Sequence, residues 1–160
     1  MKTLGKVLIR VLILGGVVFG VYSILPEYPH NMMKSLVQPL VNTEAKVRID
    51  QVKQLTNKKL NASYADILEP NSKSAFWVYE SDEVTGKEMV LFYGTGITLN
   101  IKDLPGEEDK LYTSCSVKFI FEITGNSVQI TGEIDHKPQS EAVRDEMLRQ
   151  IYTKKGQIAG

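Results

Sequence analysis

Alternation of apolar and polar residues is strongest between residues 115 and 134, where it predicts two β-strands. Apolar residues of one parity run along the first strand: Cys115, Val117, Phe119, Phe121 and Ile123. The turn-forming pair Gly125-Asn126 follows, and the alternation resumes from Val128 to Ile134. Two such runs joined by two turn residues predict a β-hairpin with one dry face and one wet face.

Further strands are predicted upstream of this hairpin. Ala75–Tyr79 is aromatic and β-branched on both faces, which is typical of a central strand. Met89–Tyr93 runs back, and Gly94-Thr95-Gly96 lets the backbone bend before the alternating stretch Ile97–Ile101.

Two more strands are predicted nearer the N-terminus. Val47 and Ile49 alternate with Arg48 and Asp50, so residues 45–52 fit a period of two. Residues 57–59 resemble a turn, and a second strand is predicted for residues 60–68. The sequence Glu69-Pro70-Asn71-Ser72 then indicates a loop.

Helical spacing appears in two segments. Between Met32 and Val41 large apolar residues recur at spacings of three and four, and Pro39 leaves a short helix or an irregular cap as alternatives. The Pro-containing residues 26–31 are predicted to be a stalk. The second helix is predicted for Glu141–Tyr152, with one apolar side made of Val143, Met147, Leu148 and Ile151.

These elements predict a mainly β, α+β fold, with roughly five to seven antiparallel strands between two short helices. Because the strands are mostly apolar on one face only, a curved meander that closes into a barrel or half-barrel would bury those faces and leave no exposed edge. An open sheet covered by the C-terminal helix is the alternative.

A single apolar run precedes this domain. It extends from Val7 to Leu25, and Arg10 is its only charged residue. As a helix its 19 residues would span roughly 28 Å, close to the thickness of a bilayer core. Lys2 and Lys6 precede the run, so the positive-inside rule predicts a cytoplasmic N-terminus and an exported remainder. The alternative is a cleaved signal peptide, but no typical cleavage site follows.

The chain is therefore divided into four parts. Residues 1–6 are predicted to form a cytoplasmic tip and residues 7–25 a transmembrane anchor. Residues 26–44 form the stalk and short helix, and residues 45–160 form an extracytoplasmic β-rich domain. This organisation predicts a single-pass protein of the bacterial inner membrane with its C-terminal domain in the periplasm.

Charge and cysteine content narrow the function classes. The chain carries 19 basic and 19 acidic residues, so nothing favours nucleic acid as a partner. Cys115 is the only cysteine, which excludes an internal disulfide. Its position on the dry face predicts a buried free thiol, with an intermolecular disulfide as the alternative.

No residue pattern of a catalytic or metal site occurs. The two histidines, His30 and His136, lie in the stalk and in a loop, and neither is paired in sequence with a nucleophile. Gly94-Thr95-Gly96 is too short for a dinucleotide-binding loop. The chain is therefore predicted not to be an enzyme and to hold no cofactor or metal.

Aromatic residues on neighbouring strands are the only candidates for a ligand site. In a small barrel they would either fill the interior or line a cavity for an apolar ligand, and filling is favoured. The residues selected for ligand binding are Trp77, Tyr79, Tyr93, Phe119 and Phe121. A barrel completed by a strand of a partner would open its mouth between two proteins.

The layout resembles a known group of proteins. The resemblance rests on three features: the apolar run from Val7 to Leu25, the bend Tyr93-Gly94-Thr95-Gly96-Ile97 and the hairpin from Cys115 to Gly132. In these features the chain resembles the small single-pass partner proteins of membrane-bound transcriptional regulators in enteric bacteria, which include the FidL-like, ToxS-like, PsaF/MyfF-like and VtrC-like proteins.

Membership would imply a calycin-like barrel that forms a heterodimer with the periplasmic domain of an anchored winged-helix regulator, often in virulence control. In some members of the group the joint barrel binds bile salts, so the ligand that the resemblance implies is a bile salt or another amphipathic molecule. The lipid bilayer is a second partner because of the predicted anchor. On this hypothesis the protein stabilises or modulates the regulator. A structural role in a secretion, pilus or conjugation apparatus is the alternative function.

Overall fold

The computed structural model describes residues 27–82 and 84–154. Its helices are α1 (Glu27–Val41), α2 (Thr43–Gln54), α3 (Tyr64–Leu68) and α4 (Glu141–Thr153). Its strands are β1 (Thr56–Asn57), β2 (Ala62–Ser63), β3 (Ser74–Asp82), β4 (Lys87–Ile101), β5 (Lys110–Thr124), β6 (Ser127–Ile134) and β7 (Lys137–Pro138). The predicted anchor from Val7 to Leu25 lies outside the described residues. None of the helices within them combines the length and the hydropathy that a membrane crossing needs.

The predicted α+β class with an antiparallel meander is confirmed. Strands β3 to β7 form one five-stranded sheet in sequence order, and each strand pairs antiparallel with the next. Strands β1 and β2 form a separate two-stranded ladder. The large sheet stays open across the described residues, because β3 and β7 lie at opposite ends of the strand order. No closed barrel is found there.

One face of the large sheet packs into the main hydrophobic core. Helices α2, α3 and α4 cover this face, and their apolar residues join the core cluster. The side chains of Phe92, Phe119 and Phe121 have no exposed surface. Successive side chains of a strand point to opposite faces, so the alternation in β5 and β6 predicts this face correctly.

The opposite face carries a second, smaller core under α1. It consists of Phe76, Val78, Leu91 and Tyr93, and Tyr28 of α1 packs on it edge-on. Strand β3 is therefore buried on both faces although it is the edge strand of the sheet. The prediction of a central strand at Ala75–Tyr79 is wrong in this respect, because a covering helix produces the same apolar pattern as a neighbouring strand.

The strand predicted for residues 45–52 is wrong, since this segment belongs to α2. Its buried residues are Ala45, Ile49 and Val52, spaced by four and three as on one side of a helix. The side chain of Asn42 accepts a hydrogen bond from the Ala45 backbone N–H and caps the helix. Val47, which gave the segment its apparent alternation, is exposed.

The strand predicted for residues 60–68 is also wrong. A turn follows Asn57 as expected, but only Ala62–Ser63 is extended, and Tyr64–Leu68 forms α3. The hydroxyl of Ser63 accepts from the Asp66 backbone N–H and caps this helix. Tyr64, Ile67 and Leu68 are buried at spacings that a single helical turn brings to one side.

The hairpin and the C-terminal helix agree with prediction. Thr124 of β5 pairs with Ser127 of β6, so Gly125 and Asn126 form the two-residue turn. Helix α4 begins after Ser140, whose side chain accepts from the Val143 backbone N–H. The four apolar residues predicted for its inner side are all buried.

The bend predicted at Gly94-Thr95-Gly96 is a bulge inside one long strand. The register between β4 and β5 shifts between Gly94 and Ile97. Gly96 has a φ of +70°, a conformation that favours glycine. At Gly94 an added Cβ would lie 2.7 Å from Ser72 Oγ and 2.9 Å from the Phe92 ring, so the strand passes closely over its neighbours.

Candidate interaction surface

The five predicted ligand residues do not share one cavity. Trp77, Tyr79, Phe119 and Phe121 belong to the main core, whereas Tyr93 lies on the opposite face under α1. Within the core the Trp77 and Phe121 rings are 5.8 Å apart between centroids. These residues fill the space between sheet and helices, as the favoured sequence interpretation expects. A ligand role for them stays a prediction.

Trp77 also borders a surface cleft between α1 and α2. The cleft has a volume of about 390 Å³ and is open to solvent. The indole N–H of Trp77 donates to the Glu69 carboxylate at 2.9 Å. The Lys53 ammonium pairs with Glu69 at 2.8 Å and lies 5.7 Å from the centroid of the Trp77 ring. This wall is a satisfied polar cluster, and it offers a ligand little besides the rim of the indole.

The outer edge of β3 is capped at Tyr79 by a side chain of α1. The Gln38 side-chain N–H donates to the Tyr79 backbone carbonyl at 2.7 Å, and the Tyr79 backbone N–H donates to the side-chain oxygen of Gln38 at 2.9 Å. The amide thus replaces one residue of a neighbouring strand. Unpaired edge groups attract strands of other chains, and Gln38 occupies those of Tyr79.

Side chains of helix α4 bond two further backbone positions at strand edges. The Gln150 amide donates to the Asn100 carbonyl and accepts from the Asn100 backbone N–H, at 2.6 and 2.8 Å. The Arg144 guanidinium donates to the Ile130 carbonyl of β6 at 2.7 Å. Asp145 pairs with Arg144 at 2.6 Å. Burial opposes ionisation of Asp145, but hydrogen bonds from Lys59 and Arg144 outweigh it and lower the pKa of that carboxyl.

The first part of β5 keeps an open edge. Strand β6 pairs with β5 only from Val117 onward, and Asp135 bonds the backbone of Ser116. Leu111 pairs with Asn100, whose own backbone groups face α4. Asn100 and Leu111 are therefore a pair without hydrogen bonds to each other. In an antiparallel ladder both residues of such a pair turn their backbone groups away from the partner strand. The N–H and carbonyl of Leu111 therefore point away from β4, on the side that β6 does not reach.

Leu111 adds an apolar side chain to this edge. It is 63% exposed, whereas Tyr112 beside it packs partly against the main core. We call residues 110–115 the open edge. The sequence interpretation missed it because the alternation that predicts this strand begins only at Cys115. The sequence did hold one signal, because Leu111 and Tyr112 are adjacent large apolar residues just before the alternating run.

A polar network holds α1 on the sheet. The Tyr93 hydroxyl donates to Glu27 and accepts from the Asn31 side chain, each at 2.8 Å. Lys118 donates to the same carboxylate oxygen of Glu27 at 2.8 Å, and this contact is the main reason that the pKa of Glu27 is lowered. Burial and the neighbouring carboxylate raise the pKa of Tyr93. The network fixes which side of α1 faces the sheet.

The side of α1 that faces away from the sheet is apolar and exposed. Its residues are here called the α1 stripe: Met32, Met33, Leu36, Val37, Leu40 and Val41. Their exposed fractions run from 42% at Met33 to 84% at Leu40. The periodicity of this segment predicts a helix correctly, although the helix already begins at Glu27 within the predicted stalk.

Reactive side chains in the described part are few and separated. Cys115 is a buried free thiol, as predicted, and donates to the Ile97 carbonyl. Burial raises its pKa to about 11, which suppresses the reactive thiolate. Across residues 27–82 and 84–154 no cluster of three or more histidine, cysteine or carboxylate side chains is placed to hold a metal ion. No family model, curated protein or solved structure matches this chain.

Proposed function

We propose that this protein is a membrane-anchored, exported binding partner of a membrane-bound transcriptional regulator, and that it acts by docking on the regulator's exported domain. Catalysis has no part in the proposal. The resemblance of the layout to such partner proteins supports it, and so does the predicted anchor from Val7 to Leu25. Binding would shift the regulator toward its folded or dimeric population.

The open edge of β5 is the observation that carries the proposal. Side chains of Gln38, Gln150 and Arg144 each bond one outward-facing backbone position, whereas the backbone of Leu111 faces outward beside an exposed apolar side chain. A strand of a partner that adds here gains main-chain hydrogen bonds and covers the leucine.

A photo-crosslinking residue at Leu111 tests the proposal in the full-length protein. The labelled protein would be expressed in the source bacterium and irradiated in intact membranes. The adduct would then be purified, and mass spectrometry would identify the attached chain. We expect one main adduct, with a single-pass protein that carries a DNA-binding domain on its other side. The matched control carries the same residue at Val84, which is 95% exposed at the far end of the sheet.

Absence of any adduct from Leu111, or the same products from Leu111 and Val84, would contradict docking at the open edge. An adduct with a secretion, pilus or conjugation component would instead support the structural alternative. A proline at Leu111 sharpens the test. The Leu111 N–H faces away from β4, so proline should leave the sheet folded while it blocks strand addition.

A further inference from the structure

We propose that the α1 stripe lies on the surface of the lipid bilayer, so that α1 is an interfacial helix which holds the domain against the membrane. This inference goes beyond the proposed function, because it concerns contact with lipid and not the protein that occupies the open edge. It rests on the predicted anchor from Val7 to Leu25, which the proposed function also includes.

The position of α1 in the chain is the first argument. The predicted anchor ends at Leu25, and Pro26 is the only residue between it and the start of α1 at Glu27. Two Cα–Cα steps span at most about 7.6 Å. The headgroup layer on each side of a bilayer is roughly 5–8 Å thick. Helix α1 therefore starts within or next to this layer.

A proline between the predicted anchor and α1 permits α1 to lie in the membrane plane. The sequence predicts a break between the anchor and α1, because a proline disfavours helical backbone in the residue before it and Pro26 follows Leu25. A helix is not expected to run straight from the anchor into α1, so the axis can turn at this point. If α1 continued along the membrane normal, the distal end of the stripe at Val41 would lie about 24 Å from Leu25, well beyond the headgroups.

The distribution of charge on α1 fits contact with lipid. Glu27 and Lys34 are its only acidic or basic residues other than His30. Glu27 is bonded to Lys118 and Tyr93, and Lys34 pairs with Glu80 of β3 at 3.4 Å. Both charges are thus directed to the sheet, and no carboxylate or ammonium interrupts the stripe. Burying the stripe in the acyl boundary would not desolvate an unpaired charge.

The width of the stripe favours a flat surface over a second helix. Each residue turns a helix by about 100°, so Met32 and Val41 lie about 180° apart around the axis. A helix partner covers a narrower seam, with roughly two residues of every seven. Half the circumference of α1 is apolar over a length of about 14 Å, and one broad apolar surface can cover it at once.

Depth-dependent fluorescence tests the proposal in the full-length protein, reconstituted in vesicles of phosphatidylcholine with a minor fraction of phosphatidylglycerol. An environment-sensitive dye is attached to a cysteine introduced at Leu36 or Leu40, with Cys115 left in place because it is buried. We expect blue-shifted emission and several-fold stronger quenching by lipids with spin labels than for the same dye at Val84.

A charge variant separates lipid contact from local packing. Glutamates at Leu36 and Leu40 together should reduce quenching of a dye at Val41 to the level seen at Val84, whereas glutamate at Leu111 should leave it unchanged. The stripe is exposed, so these variants keep the core intact. The urea midpoint checks that they fold.

Three results would overturn the proposal. The first is a dye at Leu36 that stays unquenched and solvent-exposed in vesicles. The second is excimer emission from pyrene at Leu36 that falls on dilution with lipid, which would assign the stripe to a second copy. The third is a dye that is shielded in native membranes but not in vesicles of the purified protein, which would assign the stripe to another protein.

Discussion

The two faces of the five-stranded sheet are covered by helices in different ways. On the main face, helices α2, α3 and α4 bury rings such as Phe92, Phe119 and Phe121 that have no exposed surface. On the other face, α1 covers only four buried residues of the sheet. It is positioned by hydrogen bonds that Asn31 and Gln38 donate and by one that Glu27 accepts from Tyr93.

This difference separates stability from orientation. Apolar burial is non-directional, so the main core stabilises the fold without fixing the exact rotation of any one helix. Hydrogen bonds are directional, and those of α1 turn its polar side toward the sheet. Rotating α1 by half a turn would bury the α1 stripe but would break the Gln38–Tyr79 and Asn31–Tyr93 bonds. The apolar side is left outward for another surface.

Truncation of a main-core ring should give the largest loss of stability. Phe119→Ala removes a fully buried ring that lies 6.4 Å from the Phe92 ring between centroids, and its neighbours cannot collapse fully into the space. We expect the free energy of unfolding to fall by about 3–5 kcal/mol. Urea unfolding followed by tryptophan fluorescence measures it, because Trp77 lies in the same core.

The matched control is Val37→Ala on the α1 stripe. Because Val37 is 55% exposed, its loss should change stability by no more than about 0.5 kcal/mol. Equal losses for the two variants would mean that the stripe is already buried within the monomer, and the contrast between the two faces would fail.

The α1 face should respond to the loss of one hydroxyl. Tyr93→Phe removes both bonds of that hydroxyl and leaves the Asn31 amide, which is only 5% exposed, without its partner. We expect a loss of about 1–3 kcal/mol. Hydrogen exchange should accelerate in the amides of α1 more than in those of β5, since the damage is local to the helix.

Tyr28→Phe provides an opposite control in the same aromatic cluster. The Tyr28 hydroxyl is buried with no hydrogen-bond partner among the described residues. Its removal should therefore be neutral or stabilising by up to about 1 kcal/mol. If both tyrosine variants lost the same stability, ring packing and not the hydrogen-bond network would hold α1.

The spacing of apolar residues predicts correctly the elements that have one buried side and one exposed side. The hairpin of β5 and β6 and the inner side of α4 follow from alternation and helical spacing, because each has one buried side. Helix α2 is missed since Val47 and Ile49 alternate with charged residues as a strand would. Only Ala45, Ile49 and Val52 are buried, and small Ala45 carries little weight in a pattern of large residues.

The sequence could not indicate which side of α1 faces the sheet. Its periodicity reveals an apolar side, and the usual expectation is that this side is buried. The inward side is set instead by partners far away in sequence, such as Tyr79 for Gln38 and Tyr93 for Asn31. The open edge has the same origin, because it arises where β6 ends and not from residues 110–115 themselves.

Loss of the side chain that closes β3 should have a smaller effect. Gln38→Ala leaves the Tyr79 N–H and carbonyl to water, so we expect a loss of about 1 kcal/mol. The two backbone groups freed at Tyr79 should also raise concentration-dependent light scattering. Gln129→Ala, at an exposed position of β6, is the control and should change neither quantity. Scattering that rises equally in both variants would show that Gln38 does not protect the edge.

The smallest effect concerns acid. Lys118 lowers the pKa of Glu27 in the folded state below its ordinary value of 4.5. The folded state therefore binds fewer protons at this carboxylate than the unfolded state does. The contribution is complete above that ordinary value and is lost as the pH falls through the lower folded value. Because the Glu27 side chain is 47% exposed, the Glu27–Lys118 pair should contribute less than about 1 kcal/mol.

Glu27→Gln isolates this contribution from those of other carboxylates. Asp145 and Glu146 also have lowered pKa values, and they are present in both proteins, so their effects cancel in the difference. The stability difference between wild type and variant should be constant above about pH 5.5 and shrink toward about pH 3. A difference that stays constant over this range would mean that Glu27 titrates alike in both states, and that α1 is held by Tyr93 and Gln38 without help from charge.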